Sequence, residues 1–219
     1  MAKDVTRKNL IAALLAQYGR TYSEELGINV ARGTPSALFR WLCASLLFSA
    51  RISTDIAISA SRALAAARWT TPERMASSTW AERTRVLNRS GYARYDESTS
   101  RMLGHDAELI VSEYHGDLRR LRARAERDPE RERQLLKSFK GIGDVGADIF
   151  MREVQAAWDE LYPFADKRAR SAATRLGLGT EPNQFARLVD RRDFPRLVAG
   201  LVRIDRAKGY EQLLSAVLG

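Results

Sequence analysis

One cysteine and two histidines are all the thiolate and imidazole metal ligands that the 219 residues offer. A lone Cys43 excludes an internal disulfide framework, a four-cysteine zinc site and a four-cysteine iron–sulfur cluster. His105 and His115 leave little for a histidine metal site or a Ser–His triad. Long apolar runs are also missing: none approaches the roughly 18 residues of a membrane span, and mean hydropathy is -0.35. The apolar stretch after MAKDVTRKNL is interrupted by Gln17 and Arg20, so no signal peptide is expected. Strand patterning is scarce, because no run of β-branched and aromatic residues alternates with polar ones between turns. Repeats of solenoid length and low-complexity linkers are absent as well.

What is abundant is positive charge and helical spacing. Thirty-six Lys and Arg against 27 Asp and Glu give a net charge of +9. A basic domain favours polyanions, nucleic acid before an anionic membrane. Thirty of the 36 are arginine, a bias that genome composition alone can produce. Leu10, Ile11, Leu14 and Leu15 carry a helix over 6–18, and 37–48 is apolar almost all round, as in a buried helix. Further helices are predicted over 54–67, 72–78, 80–88, about 94–114, 117–127, 130–139, 144–158, 166–176, 183–189, 194–204 and 206–217. Residues 26–35 read as an irregular loop, and Asp128-Pro129 as a break. The fold class is therefore all-α, with roughly a dozen helices in compact domains and a cleft between two helical subdomains. Cys43 reads as a small core residue, and the two histidines as surface groups.

The stretch LLKSFKGIGDVGADIF, residues 135–150, is the most informative. Leu136 and Phe139 share a helical face, Gly141-Ile142-Gly143 forms a tight turn, and a second helix carries Ala147, Ile149 and Phe150. Glycines tolerate positive φ and leave no Cβ between backbone and ligand. The turn feeds a helix N-terminus, whose free N–H groups and positive dipole end favour an anion such as a DNA phosphate. Such a contact is to backbone and independent of base sequence. Lys140 adds a charge. A plain αα-hairpin is the other reading. A dinucleotide fingerprint fits poorly without a preceding strand, and a Walker A loop fails without Gly-Lys-Ser/Thr.

The spacing apolar, two residues, apolar, one residue, Gly-apolar-Gly, three residues, Ala resembles the helix–hairpin–helix DNA-binding motif. Segments on both sides of the hairpin extend the likeness. Downstream, the helix is succeeded by Leu161-Tyr162-Pro163-Phe164-Ala165-Asp166-Lys167-Arg168, a Pro-containing loop whose aspartate heads a basic helix. Upstream stand Leu46-Leu47-Phe48-Ser49-Ala50-Arg51 with Thr54-Asp55, and Gly91-Tyr92-Ala93-Arg94-Tyr95. Over residues 36–178 the chain resembles the HhH-GPD superfamily of endonuclease III-like DNA glycosylases. The resemblance implies a core of 36–178, an N-terminal helix and loop in 1–35, and completing helices in 179–219. It implies Asp166 as the catalytic carboxylate. It implies Lys140, Gly141, Ile142, Gly143, Val145, Gly146, Arg51, Lys167 and Arg168 as DNA-contacting positions, with Arg51 probing the base stack. Asp166 has a plainer reading as a helix N-cap, and Arg51 one as a solvated helix-end residue.

Departures from the family pattern are specific. Val145 stands where bifunctional members have the Schiff-base lysine, which implies no efficient lyase activity. Residues 177–219 hold no cysteine, which excludes the family's cluster. Ala165-Asp166-Lys167-Arg168 replaces Val-Asp-x-His, and Arg51 replaces Gln or Asn. The expected protein is a cytoplasmic monomer, nucleoid-associated if bacterial. It acts on double-stranded DNA with a lesion or mismatch, without a resident cofactor but with room for a monovalent cation at the hairpin. A non-catalytic DNA-binding relative is the alternative, and a helical interaction module with an incidental basic surface is a third. Among Trp41, Trp69, Trp80, Trp158, Tyr92, Tyr95, Tyr162 and Phe164, most read as core and one or two as base-pocket lining.

Overall fold

The computed structural model describes the backbone of residues 2–218 and the side chains of 7–217. Met1 and Gly219 lie outside the described residues. Every regular element among them is helical, as the sequence pattern predicts. In chain order these are α1 (Ala2–Tyr18), α2 (Tyr22–Glu25), α3 (Pro35–Ser49), α4 (Thr54–Ala66), α5 (Pro72–Ala76), α6 (Trp80–Arg89) and α7 (Asp96–Tyr114). They continue with α8 (Arg119–Arg124), α9 (Pro129–Lys137), α10 (Asp144–Val154), α11 (Lys167–Arg175), α12 (Pro182–Ala186), α13 (Phe194–Ala207) and α14 (Tyr210–Leu218). No helix of the described residues is long and apolar enough to cross a membrane.

Helix starts reflect side-chain chemistry. Thr34 accepts the Ala37 N–H at 3.4 Å, and Pro35 occupies the first turn of α3, where its missing N–H costs nothing. Asp128 accepts the Arg131 N–H at 2.8 Å, so the Asp-Pro break is the cap of α9. Helix ends explain three departures from the predicted spans. Segment 117–127 is helical only as α8, because Glu126 and Arg127 turn to φ 56° and 58°. Helix α10 stops at Val154, whose carbonyl accepts the N–H groups of Ala157 and Trp158. The divide between α13 and α14 falls at left-handed Lys208 and at Gly209, where a Cβ would lie 2.3 Å from the Tyr18 hydroxyl.

Two compact units divide the chain. One is continuous, Leu26–Phe150. Its centre is α3, with Leu38, Trp41, Leu42 and Leu47 all buried. Burial of each such side chain contributes about 1.5–3 kcal/mol. Trp41 satisfies its one polar group by donating Nε1–H to the Phe150 carbonyl at 3.1 Å. Cys43 is buried here, and burial pushes its thiol pKa up, out of the reactive range. The expected loop at 26–35 contains a short 3-10 turn, Val30–Arg32, on α3, and Arg40 donates to the Leu26 carbonyl at 3.2 Å.

The other unit joins the chain up to Glu25 with the chain from Met151. Helix α1 packs on α13 and α14, which leave Leu14 and Leu201 without exposure. Glu153, 2% exposed, accepts the Tyr22 N–H at 2.9 Å and the Ser23 N–H at 2.8 Å. That bond set ties α2 to residues 130 positions away, which is why the N-terminal segment belongs with the C-terminal helices. Helix α10 runs across the division at 150/151.

Candidate nucleic-acid interface and carboxylate site

The hairpin of α9 and α10 is built from the pattern that predicts it. Leu136, Phe139, Ile142, Ala147, Ile149 and Phe150 are all buried. The two turn glycines have different reasons to be glycine. Gly141 has φ 80°, and a Cβ there would sit 2.6 Å from Met102 Sδ, so fold geometry alone demands it. Gly143 has no positive φ, and a Cβ would meet nothing within 4 Å. Nothing in the fold requires Gly143 to lack a side chain. Its carbonyl accepts the Ala147 N–H, the first bond of α10, so the amides just after it are the unpaired ones every helix start leaves. Lys140 is exposed beside them.

Other predicted contact positions are distributed unevenly. Val145 is 60% exposed on the first turn of α10. Ile142 points its side chain into the core, and Gly146 is buried with its Cβ direction 3.3 Å from Ile142 Cδ1. Only the backbone of these two is on offer. Two carboxylates at the hairpin are not among the predicted site residues. Asp144 accepts from Lys137 Nζ at 2.8 Å and from Arg133 at 3.1 Å. Lys137 and then Arg133 hold its carboxyl below the usual range. Asp106, on α7, is 5% exposed and accepts the Lys140 N–H at 2.7 Å. The available signal for it was its place at the spacing of the buried face of α7, with Leu103, Ala107 and Ile110.

Beside the hairpin, within the same unit, lies a cleft of about 310 Å³ lined by Ala50, Arg51, Tyr92, Tyr95, Met102 and Gly141 among others. It gathers the three segments singled out in the sequence: the Ser-Ala-Arg turn, the Gly-Tyr turn and the glycine hairpin. Arg51 is exposed at its edge, and the Arg94 guanidinium lies 5.3 Å from the Tyr95 ring centre. Tyr92 is 1% exposed, and its hydroxyl accepts from Thr99 Oγ1 at 3.2 Å. Tyr92 and Tyr95 are thus the two aromatics of the expected set that line this cleft. Trp41 and Trp158 are core, while Trp80 is 40% exposed.

Asp166 belongs to the other unit. It caps α11, with Oδ1 accepting the Ala169 N–H at 2.9 Å. Its Oδ2 accepts Nε–H of Arg152 at 2.8 Å and a second, very close N–H from the same guanidinium. Both partners are buried, Asp166 at 7% exposure and Arg152 at 6%. Gln155 fixes the loop before it, accepting the Phe164 N–H and donating to the Phe164 carbonyl, each at 2.9 Å. Lys167 and Arg168 are exposed, and Arg168 pairs with Asp205 at 3.4 Å. Asp166 is a cap and an ion-pair partner at once, an arrangement that holds one carboxylate in one orientation.

The chain matches no family model and no curated protein sequence. Its fold does match a solved structure described as a trapped endonuclease III–DNA covalent intermediate in an estranged-adenine complex. The TM-score is 0.51 at 16% identity, over 80% of this chain and 75% of that one. The chain has the all-helical fold of endonuclease III.

Proposed function

We propose that this protein binds duplex DNA through the α9–α10 hairpin and Arg51, and hydrolyses the N-glycosidic bond of a damaged or mispaired base. The observation that carries the reading is Gly143, whose outward face is open although no feature of the fold keeps it so. A phosphate approaching the unpaired amides of α10 is what a side chain there would obstruct. The endonuclease III fold supports the same reading, because that protein's structure is a DNA complex.

In the proposed reaction the target base leaves the stack, since its glycosidic bond is shielded in the duplex. Positive charge develops on the sugar as the bond to the base breaks, and the Asp166 carboxylate stabilises it and orients water. Arg152 and the Ala169 N–H hold Asp166 in place while this happens. Val145 offers no amine for an imine, so water is the nucleophile and the product is an intact abasic site. No resident cofactor enters the scheme. The protein acts as a monomer in the cytoplasm.

A second reading has its own observation. Both Asp166 oxygens are engaged and the group is 7% exposed, which suits a structural capping aspartate in a protein that binds damaged DNA without cutting it. A panel of duplexes carrying uracil, alkylated purines, oxidised bases or mismatches, scored for binding and for base release, separates the two. Release from one member of the panel is the expected result. Salt-sensitive binding with no release anywhere supports the second reading, and the absence of both overturns the two together.

A further inference from the structure

The hairpin turn is held from below by a carboxylate. Lys140 gives its backbone N–H to neither helix; it donates to Oδ1 of Asp106, 34 residues earlier on α7, at 2.7 Å. Asp106 is 5% exposed, so this bond forms out of water, where a charged acceptor holds an amide most strongly. Among the described residues, three titratable groups interact with it. His105, its neighbour on α7, places Nδ1 3.3 Å from Oδ1. Lys140, on the hairpin, interacts with it through charge as well as through its amide, and Cys43 faces it from α3. The lysine side chain is exposed and the thiol is buried, so neither neutralises Asp106 in the core.

An anion on the turn feels this arrangement in two ways. The Lys140 amide points inward and is already taken, so this residue meets a phosphate only with its ammonium. The Asp106 carboxylate is also hydrogen-bonded to the turn backbone four residues before Asp144, so its charge is close to any phosphate held by the turn. Like charges at short range repel, and the cheapest relief is a proton on the carboxylate.

We infer that Asp106 is the positioning residue of the hairpin, and that duplex binding there is coupled to uptake of one proton by its carboxylate. The inference rests on the hairpin being the DNA-binding element. Burial supports it by raising the carboxyl to about pH 7, opposed by the Lys140 N–H and by His105, so the group changes charge in the physiological range. With the proton on, the Lys140 N–H still has a carbonyl oxygen to donate to, and the repulsion is gone. With the proton off, the turn is gripped more tightly and the phosphate is disfavoured.

The test has two parts. In the first, the Lys140 amide of the free wild-type protein is monitored by proton–nitrogen NMR against pH. It should shift with an inflexion near 7, and should not shift in Asp106→Asn. In the second, binding of a labelled short duplex carrying a tetrahydrofuran abasic-site analogue is measured at constant ionic strength. Wild-type affinity should rise about three- to tenfold from about pH 8.5 to about pH 6, the effect of removing one partly screened charge. Asp106→Asn should be flat and as tight as the wild type at the acid end. His105→Gln should keep the wild-type slope. A slope that survives in Asp106→Asn, a slope lost in His105→Gln, or a Lys140 amide that does not titrate overturns the inference. Should Asp106→Asn fail to fold, the wild-type amide titration and the His105→Gln slope decide it. Failure to bind the duplex at any pH overturns the DNA reading instead, and leaves the amide titration to judge Asp106.

Discussion

The two ends of α10 present opposite situations. At its start Gly143 is open, Lys140 and Val145 are exposed, and the first amides lack helical partners. At its finish Arg152 and Glu153 are buried, and each is committed: Arg152 to Asp166, Glu153 to the Tyr22 and Ser23 amides. The front end is a surface available to a ligand without rearrangement. The back end is a network whose polar groups already satisfy one another. A ligand-binding role can therefore be tested by adding atoms at the front, whereas a catalytic role must be tested by removing charge at the back, where folding is also at stake.

The largest expected effect is at the back. Asp166→Asn removes the negative charge and strands a buried guanidinium, at a cost of about 3–5 kcal/mol of stability. Asn still caps a helix well, so the loss is of charge pairing and not of the cap. Replacing both partners, Arg152→Gln with Asp166→Asn, should recover part of that stability, since no unpaired charge remains. Thermal or urea unfolding of the two variants checks this. On a lesion the wild type processes, single-turnover base release should fall on the order of 10² to 10³ in Asp166→Asn.

The front end sharpens the contrast through its two glycines. Gly141→Ala forces a side chain into a left-handed conformation against Met102 and should cost about 1–3 kcal/mol. Gly143→Val meets no neighbour but puts a β-branched residue at the N-cap of α10, and should cost about 0.5–1 kcal/mol while weakening binding to every duplex whatever its sequence. Wild-type affinity should fall with log salt at a slope of several units, one for each phosphate neutralised. Unfolding curves and a salt series of binding isotherms report these effects.

The chemistry of the front end offers a gain of function as a further contrast. Borohydride with abasic-site DNA should give no efficient crosslink to the wild type. Val145→Lys places an amine at a position that is 60% exposed, and should raise the trapped fraction without changing the fold. A strong wild-type crosslink would mean that another amine, such as Lys140, serves as nucleophile.

The smallest effect is a slope in stability against pH. Burial raises the Asp106 carboxyl to about 7 and pushes Glu153 up as well. Between the ordinary carboxyl range near about 4 and these native values, the folded chain holds protons that the unfolded chain has lost. Their contribution is therefore fully present below that window and declines as pH rises through it. Glu82, held down by the Thr79 N–H, and Asp144, held down by Lys137, act oppositely and lose stabilisation only in acid. The midpoint of thermal unfolding should peak on the acid side of neutrality and fall toward pH 8, with a shallower fall in Asp106→Asn.

Sequence reading reached the helices and the hairpin because both are local. Helical spacing, Thr-Pro and Asp-Pro starts, and the Gly-Ile-Gly turn are written in adjacent residues. It missed what depends on distant pairing. The Asp106 bond to Lys140 spans 34 positions, and nothing near Asp106 announces a turn to be held. The union of the N-terminal and C-terminal segments rests on Glu153 and the Tyr22 and Ser23 amides, a contact no periodicity reports. The difference between Gly141 and Gly143 was equally invisible, since φ and the approach of Met102 are properties of the folded turn. At Asp166 the sequence supplied both readings, cap and catalyst. The structure adds Arg152 as its partner.

Parallel measurement of duplex binding and single-turnover base release for Gly143→Val and Asp166→Asn tests the proposed function most directly. Gly143→Val should lose affinity while keeping its release rate at saturating protein, and Asp166→Asn, confirmed as folded, should keep affinity while losing release. Release at the wild-type rate in folded Asp166→Asn, or unchanged affinity in Gly143→Val, would contradict it.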